Sequence, residues 1–111
     1  MKIINKSTKK IIATDVRIAS SLRDQTFGMI RYKKPQALRI KTRFGIHTFF
    51  MKYPIDLLIL DNTNTVVAMK EQLKPNAFFL WNIRYNTVLE LEKGTITRTK
   101  TAIGDRLEYI D

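Results

Sequence analysis

The sequence predicts a mainly β, single-domain fold: a β-sandwich or barrel-like fold of roughly seven to eight short, mostly antiparallel strands with one or two short helices. Short segments rich in Ile, Val, Thr and aromatic residues recur along the chain, and Asn, Asp, Gly and Pro residues separate them. The 111 residues contain no internal repeat and no Pro/Gly/Ser-rich linker. We therefore expect residues 1–111 to form one domain.

The chain opens on a predicted hairpin, in which residues 2–5 and 10–18 are strands and residues 6–9 are a polar turn. Ser21 followed by Asp24 resembles a capping box, which predicts a short helix over residues 22–27. Gly28 is suited to end that helix, because glycine adopts positive φ without a steric penalty.

Residues 37–44 predict a half-buried strand with a basic outer face, because apolar and basic side chains alternate. One face carries Leu38, Ile40, Thr42 and Phe44, and the other carries Arg39, Lys41 and Arg43. Residues 47–51 predict a further strand.

The second half contains a second predicted hairpin. Residues 56–61 are apolar on both faces and predict a strand deep in the sheet, with Leu58 and Leu60 on one face and Ile55, Leu57 and Ile59 on the other. Turn residues 61–64 lead to a strand over 65–73. Residues 74–82 are predicted as a long loop folded onto the core, 85–91 as a strand and 106–110 as the last strand, with a short helix opening at Gly94.

The net charge of +10 is unevenly distributed. Residues 1–45 hold twelve Lys and Arg against two acids, whereas residues 46–111 hold eight of each sign. Such an asymmetry indicates a polyanionic partner, for which nucleic acid is one possibility. The candidate contacts are Arg31, Lys33, Lys34, Arg39, Lys41 and Arg43. On a strand, the last three would stand about 6–7 Å apart, close to the spacing of phosphates. A solvated, solubilising surface is the alternative.

Composition and motifs exclude several classes of function. The chain has no cysteine, which excludes thiolate metal sites and cysteine nucleophiles and suits a reducing compartment. The N-terminus lacks the apolar stretch of a signal peptide, and no segment is long enough to span a membrane, so we expect a cytoplasmic protein. The four glycines are isolated and form no phosphate-binding loop, and we expect no cofactor.

Five blocks between residues 16 and 109 carry a family resemblance. They are Phe27-Gly28-Met29, the stretch from Thr48 to Asp61 with its Met, aromatic, Pro and Asp, residues 66–68 with the turn at 73–75, Val88-Leu89-Glu90-Leu91 with Gly94-Thr95-Ile96, and Ile103-Gly104-Asp105-Arg106-Leu107. Together they resemble the family called domain of unknown function 192. The resemblance implies a sandwich-like β fold with one short helix near the start, and it implies no activity. The basic stretch from 30 to 41 departs from the family pattern.

The blocks also supply the ligand-binding candidates, which are Gly28, Met29, Met51, Lys52, Asp56 and Glu90. Asp56 is either an acid or base with a raised pKa, held in a cleft, or a structural carboxylate that accepts backbone N–H bonds at the strand start or pairs with Lys52 or an Arg. Glu90 has the same two interpretations, and a solvated or paired outer face is favoured. Catalytic residues are not identified.

The remaining polar candidates favour structural roles. Asp105 is expected to form a turn with Gly104, its side chain bonding the backbone two residues on. His47 is the single histidine and cannot build an ordinary zinc site without cysteine partners, so no metal site is expected.

Two aromatic clusters, Phe49, Phe50 and Tyr53, and Phe78, Phe79 and Trp81, are either core or the lining of a ligand pocket.

Three functions stay open. The first is a non-catalytic binding module, the second a polyanion-binding protein, and the third an enzyme that uses Asp56 and Lys52.

Overall fold

The fold consists of three β-sheets in a computed structural model, which describes residues 1–19, 37–43, 45–48 and 53–110. Within these ranges lie ten strands and one helix, so the prediction of a mainly β fold is confirmed, with more strands than the pattern predicted. The strands are β1 (Lys2–Asn5), β2 (Lys10–Ala13), β3 (Val16–Ala19), β4 (Ala37–Lys41), β5 (Gly45–His47), β6 (Ile55–Leu60), β7 (Val66–Leu73), β8 (Phe78–Leu80), β9 (Thr87–Glu92) and β10 (Leu107–Ile110), and the helix is α1 (Thr95–Thr99).

The central sheet has five strands in the order β3-β4-β9-β6-β7. Its pairs are antiparallel except for β3 and β4, which run parallel. Every residue of β6 is buried. A strand that is apolar on both faces suits a sheet that is covered on both sides, and this sheet is covered by the other two.

The first core lies between the central sheet and a three-stranded sheet of order β10-β1-β2. Ile3, Ile12 and Leu107 of the smaller sheet pack there against Leu58 and Leu60 of β6. This placement of Leu58 and Leu60 confirms the side-chain alternation predicted for the strand.

The second core lies on the opposite face of the central sheet. It contains Ile55, Leu57 and Ile59 of β6, again as predicted. A two-stranded ribbon of β5 and β8 covers it, with Ile46 buried and Phe79 packed against the cluster.

The ribbon corrects the prediction of a long loop over residues 74–82. Phe78–Leu80 pairs antiparallel with Gly45–His47, so part of that segment is a strand. The pairing is close at Gly45, where an added Cβ would clash with the Phe79 carbonyl oxygen. Glycine therefore suits this position because it has no side chain.

The segment 10–18 is also not one strand. It contains β2 and β3, which belong to different sheets, with exposed Thr14 and Asp15 between them. The Val16 N–H donates to the Met1 carbonyl at 2.9 Å, which fixes the chain where it changes sheets. The helix predicted over 22–27 lies outside the described residues, as does most of the strand predicted over 47–51.

The turns that close the fold follow the predicted chemistry. The Asp61 side chain accepts N–H bonds from Thr63 at 2.8 Å and Thr65 at 3.0 Å, and Asn64 adopts a φ of 63°. Gly94 precedes α1 with a φ of 87°, which glycine tolerates.

In the described part of the chain, no helix has the length and apolar character needed to cross a bilayer.

Candidate functional site

Asp56 lies at the start of β6 on the face of the first core, and its side chain is fully buried. The Gln72 N–H donates to Oδ1 at 2.9 Å, and the Ile96 N–H of α1 donates to Oδ2 at 2.9 Å. Gln72 adopts a φ of 49°, close to where the pairing of β6 and β7 is irregular. The carboxylate thus joins β7 and α1 to β6. Of the two interpretations of Asp56, this geometry matches the structural one.

Glu90 is buried on the opposite face of the central sheet, where Leu38 and Leu57 flank it on the neighbouring strands. The prediction that this face of β9 is an outer face is therefore wrong, because the ribbon and the loops around it cover the second core. Burial raises the pKa of Tyr53, and the Glu90 carboxylate raises it further. A buried carboxylate beside a phenol is a feature that functional sites share with structural networks.

The structure separates two of the predicted ligand-binding residues. Asp56 points to the first core and Glu90 to the second, so they do not share a pocket. The other four candidates lie outside the described residues, and the cluster that they were predicted to form stays a prediction. These are Gly28, Met29, Met51 and Lys52.

Asp105 forms the predicted turn beside Gly104, whose φ is 97°. Its Oδ2 accepts the Ala102 N–H at 2.9 Å, three residues back instead of two residues on. His47 is half-buried in β5 opposite Phe78. Among the residues that the structure describes, no three His, Asp or Glu side chains come together in a way that could hold a metal ion.

A buried polar network around Asn5 was missed by the sequence analysis. The Asn5 amide donates to Thr101 Oγ1 at 3.1 Å and to Asp105 Oδ2 at 2.9 Å. Its Oδ1 accepts the N–H groups of Ser7 and Thr8 at 2.8 and 3.1 Å. All four hydrogen-bonding positions of the amide are thus used, and the network ties β1 to the segment before β10. The signal in the sequence was an Asn directly before a polar turn.

The predicted basic face of β4 is only partly exposed. The Arg39 guanidinium lies 4.9 Å from the centroid of the Tyr109 ring, in cation–π geometry, and the side chain is half-buried. Lys41 and Arg43 are both exposed, but Arg43 lies beyond the end of β4. The three cations therefore do not form one exposed row on the strand, and their contact with phosphates stays a prediction. Arg31, Lys33 and Lys34 lie outside the described residues.

Exposed cations and apolar side chains meet at one end of the central sheet. The Thr42 N–H donates to the Asn86 carbonyl at 2.9 Å, which brings Lys41 and Arg43 to the loop that contains Arg84. Leu80 pairs with Gly45, whose N–H bonds the Arg43 carbonyl at 3.0 Å. We call this surface the basic tip, and its residues are Lys41, Arg43, Phe78, Leu80, Ile83 and Arg84.

The apolar members of the basic tip are strongly exposed: Phe78 by 64%, Leu80 by 70% and Ile83 by 50%. The segment that carries Leu80 and Ile83 is held in place by Trp81. Its indole N–H donates to the Tyr85 carbonyl at 2.8 Å, and its ring centroid lies 6.1 Å from that of Phe79. Of the predicted aromatic clusters, Phe79, Trp81 and Tyr53 pack against the second core, while Phe49 and Phe50 lie outside the described residues.

Acidic residues are scarce around the basic tip. No Asp or Glu occurs between positions 25 and 55 or between 72 and 89, the two stretches that supply its residues. Asp61 lies beside the basic tip, where it lines a small depression of about 380 Å³ with Arg84 and Tyr85. Burial raises the pKa of Asp61, but hydrogen bonds from Thr65 and Thr63 and the charge of Arg106 outweigh it, so the pKa lies below its ordinary value.

The opposite end of the central sheet has a different chemistry. A groove of about 580 Å³ runs between β2, the end of β9 and α1, and its lining includes Asp15 and Glu92. Arg98 also lines it, but its two terminal nitrogens donate to the Ile11 and Ile12 carbonyls at 3.0 Å each. The groove thus contains both acidic and basic side chains, and the Arg98 guanidinium links α1 to β2.

Comparison with known proteins places the chain among uncharacterised relatives. The model of the DUF192 family, described as "Uncharacterized ACR", matches residues 3–109. A UPF0127 protein from Pyrococcus horikoshii is 31% identical over 114 residues, which cover 96% of this chain and 97% of the relative. A UPF0127 protein from Pyrococcus abyssi is 32% identical over 114 residues, with 97% of each chain covered.

Two solved structures share the fold. A Sinorhizobium meliloti protein described as a "putative transcription regulator" matches with a TM-score of 0.81 and 21% identity, over 96% of this chain and 89% of that one. A protein of unknown function from Novosphingobium aromaticivorans matches with a TM-score of 0.79 and 14% identity, over 97% and 82%. At these identities the likeness concerns the fold alone.

Proposed function

The chain belongs to the DUF192 family, and we propose that it is a single-domain, non-catalytic binding module of the cytoplasm that binds a polyanionic ligand through its basic tip. The observation that carries the proposal is the meeting of Lys41, Arg43 and Arg84 at one end of the central sheet. Two acid-free stretches of the chain supply these cations. Like charges held together on an exposed surface attract polyanions and raise their local concentration.

The environment of Asp56 supports a binding module over an enzyme. An acid or base must reach the proton that it transfers, whereas Asp56 is fully buried and both of its oxygens accept backbone N–H bonds. The enzyme hypothesis needs this carboxylate together with Lys52. Because the Asp56 carboxylate already accepts hydrogen bonds from β7 and α1, the contacts favour a binding domain without catalytic turnover.

A cytoplasmic location agrees with the composition. The absence of cysteine suits a reducing compartment. Polyanions are abundant there, and a net charge of +10 gives such ligands a favourable approach.

Fluorescence anisotropy with labelled DNA and RNA at several salt concentrations tests the proposal. The description of the Sinorhizobium meliloti structure is the reason to include DNA. We expect weakly sequence-dependent binding at about 50 mM salt, with log affinity falling by about 0.9 per log salt for each phosphate neutralised on duplex DNA. Because Arg39 is stacked on Tyr109, the cations to remove are Lys41, Arg43 and Arg84.

The triple variant Lys41→Gln, Arg43→Gln, Arg84→Gln should flatten the salt slope by up to about three units on duplex DNA. A matched control, Lys70→Gln, Lys93→Gln, Lys100→Gln, removes the same charge from exposed positions elsewhere. It should change the slope much less. Equal effects of the two variants would overturn the proposal and leave the cations as a solubilising surface, as would a parent protein that binds neither nucleic acid nor any other polyanion at about 50 mM salt.

A further inference from the structure

The basic tip combines two chemistries that a nucleic acid does not use together. Its cations suit phosphate groups, but Leu80 and Ile83 are aliphatic and cannot stack on bases as planar rings do. Apolar side chains that are 50–70% exposed gain free energy from binding only if the ligand offers an apolar region that removes them from water. The ligand chemistry indicated is therefore anionic at its surface and apolar just beneath it.

We propose that the basic tip docks on the surface of a bilayer that contains anionic lipid, with Lys41, Arg43 and Arg84 at the headgroups and Leu80 and Ile83 inserted between them. The inference rests on the proposed anion binding and names the partner. Anionic headgroups attract Lys and Arg close to the membrane surface, and the adjoining acyl region accepts apolar side chains. The cytoplasmic leaflet carries such lipids.

The geometry of the tip agrees with this partner. Leu80 lies at the end of β8, and Ile83 and Arg84 follow in the next loop, so apolar and basic side chains lie within a short span of chain. A fluid lipid surface takes projecting side chains without a preformed pocket, whereas a protein partner would need one for each. Charge complementarity is the second argument, because the two stretches that form the tip contain no acid, and the acid beside them is Asp61, which shares a depression with Arg84.

The chain offers an intrinsic probe for the test. Trp81 is its single tryptophan and lies within the loop of the basic tip. Titration with unilamellar vesicles of phosphatidylcholine that contain about a third phosphatidylglycerol should shift Trp81 emission to the blue, and the protein should sediment with the vesicles. Vesicles of phosphatidylcholine alone should do neither to a comparable extent, because they lack the attraction for the cations.

Two variants separate charge from insertion. Removing Lys41, Arg43 and Arg84 as above should weaken vesicle binding about 100-fold, since each cation near an anionic surface contributes about fivefold. Leu80→Ser with Ile83→Ser should weaken it by at least about tenfold. Ile11→Ser is the matched control, because Ile11 is 44% exposed in the groove at the opposite end.

Circular dichroism and melting temperature confirm that each variant is folded. If the Leu80 variant unfolds because its side chain covers Gly45, Ile83→Ser alone carries the test. Charge-dependent DNA binding without vesicle binding would overturn the lipid inference and leave the proposed function standing, with nucleic acid as the partner. Vesicle binding that is insensitive to the serine substitutions would also overturn it. No binding to either probe would overturn both.

Discussion

Asp56→Asn tests whether the fold depends on the buried carboxylate. Asp56 uses both oxygens, one for Gln72 and one for Ile96, and both bonds measure 2.9 Å. An asparagine offers one acceptor oxygen, so one of the two backbone N–H groups would face the NH₂ group instead. That amide would then be buried without an acceptor.

The cost follows from these contacts. A hydrogen bond to a charged group contributes about 1.5–3 kcal/mol, and a buried donor left unsatisfied costs about 1–3 kcal/mol. We therefore expect Asp56→Asn to lower the free energy of unfolding by about 2–5 kcal/mol. Urea unfolding followed by far-ultraviolet circular dichroism measures the change, and amide hydrogen exchange locates it. Exchange should accelerate at Gln72 or Ile96 first.

Asp61→Asn is the matched control. The bonds from Thr63 N–H, Thr63 Oγ1 and Thr65 N–H all end on Asp61 Oδ1, so an amide oxygen in that place keeps them. This substitution should cost less than about 1 kcal/mol at neutral pH, as expected for a surface change. Equal effects of the two substitutions would refute the reasoning from oxygen usage. An Asp56→Asn protein as stable as the parent but unable to bind its ligand would show that Asp56 is a site residue.

Two further predictions concern the core and the acid limb of stability. Leu58→Ala should cost about 2–5 kcal/mol because Leu58 is fully buried in the first core, whereas Ile18→Ala, at 64% exposure, should cost little; an unchanged urea midpoint for Leu58→Ala would contradict the placement of β6. The pKa of Asp61 lies below its unfolded value, so Asp61 stabilises the fold above that value and the contribution is lost as pH falls through the folded pKa. Between about pH 5 and pH 2, the parent should therefore lose more stability than Asp61→Asn. Parallel acid titrations of the two proteins would contradict this.

The parts of the fold that sequence predicts well are those fixed by local chemistry. β6 could be predicted with its two faces, because a strand that is apolar on both faces is buried from water only in a sheet that is covered on both sides. The turn at Asp61 and the start of α1 at Gly94 follow from residues that tolerate or require unusual backbone conformations.

The errors arise where distant segments decide the outcome. Glu90 alternates with apolar residues and so predicts an outer face, but the ribbon of β5 and β8 covers that face. Residues 78–80 pair with residues 45–47, and Gly45 permits the close approach, whereas Pro75 and Asn76 nearby favour a loop in the sequence pattern. Local pattern also assigned Asp56 and Glu90 to one site, although their strands point them to opposite faces of the central sheet.

The charged side chains of this fold fall into two groups by their contacts. Asp56, Asp61 and Asp105 each accept backbone N–H bonds, and Arg98 donates to two carbonyls of β2, so these charges hold segments together. The cations of the basic tip instead lie on exposed positions at the end of the sheet. Charge changes at the tip should therefore alter the affinity for anions at nearly constant melting temperature, because exposed charges contribute little to the free energy of unfolding. Substitution of the three aspartates by alanine should instead lower the melting temperature, since it removes the oxygens that accept these backbone N–H bonds.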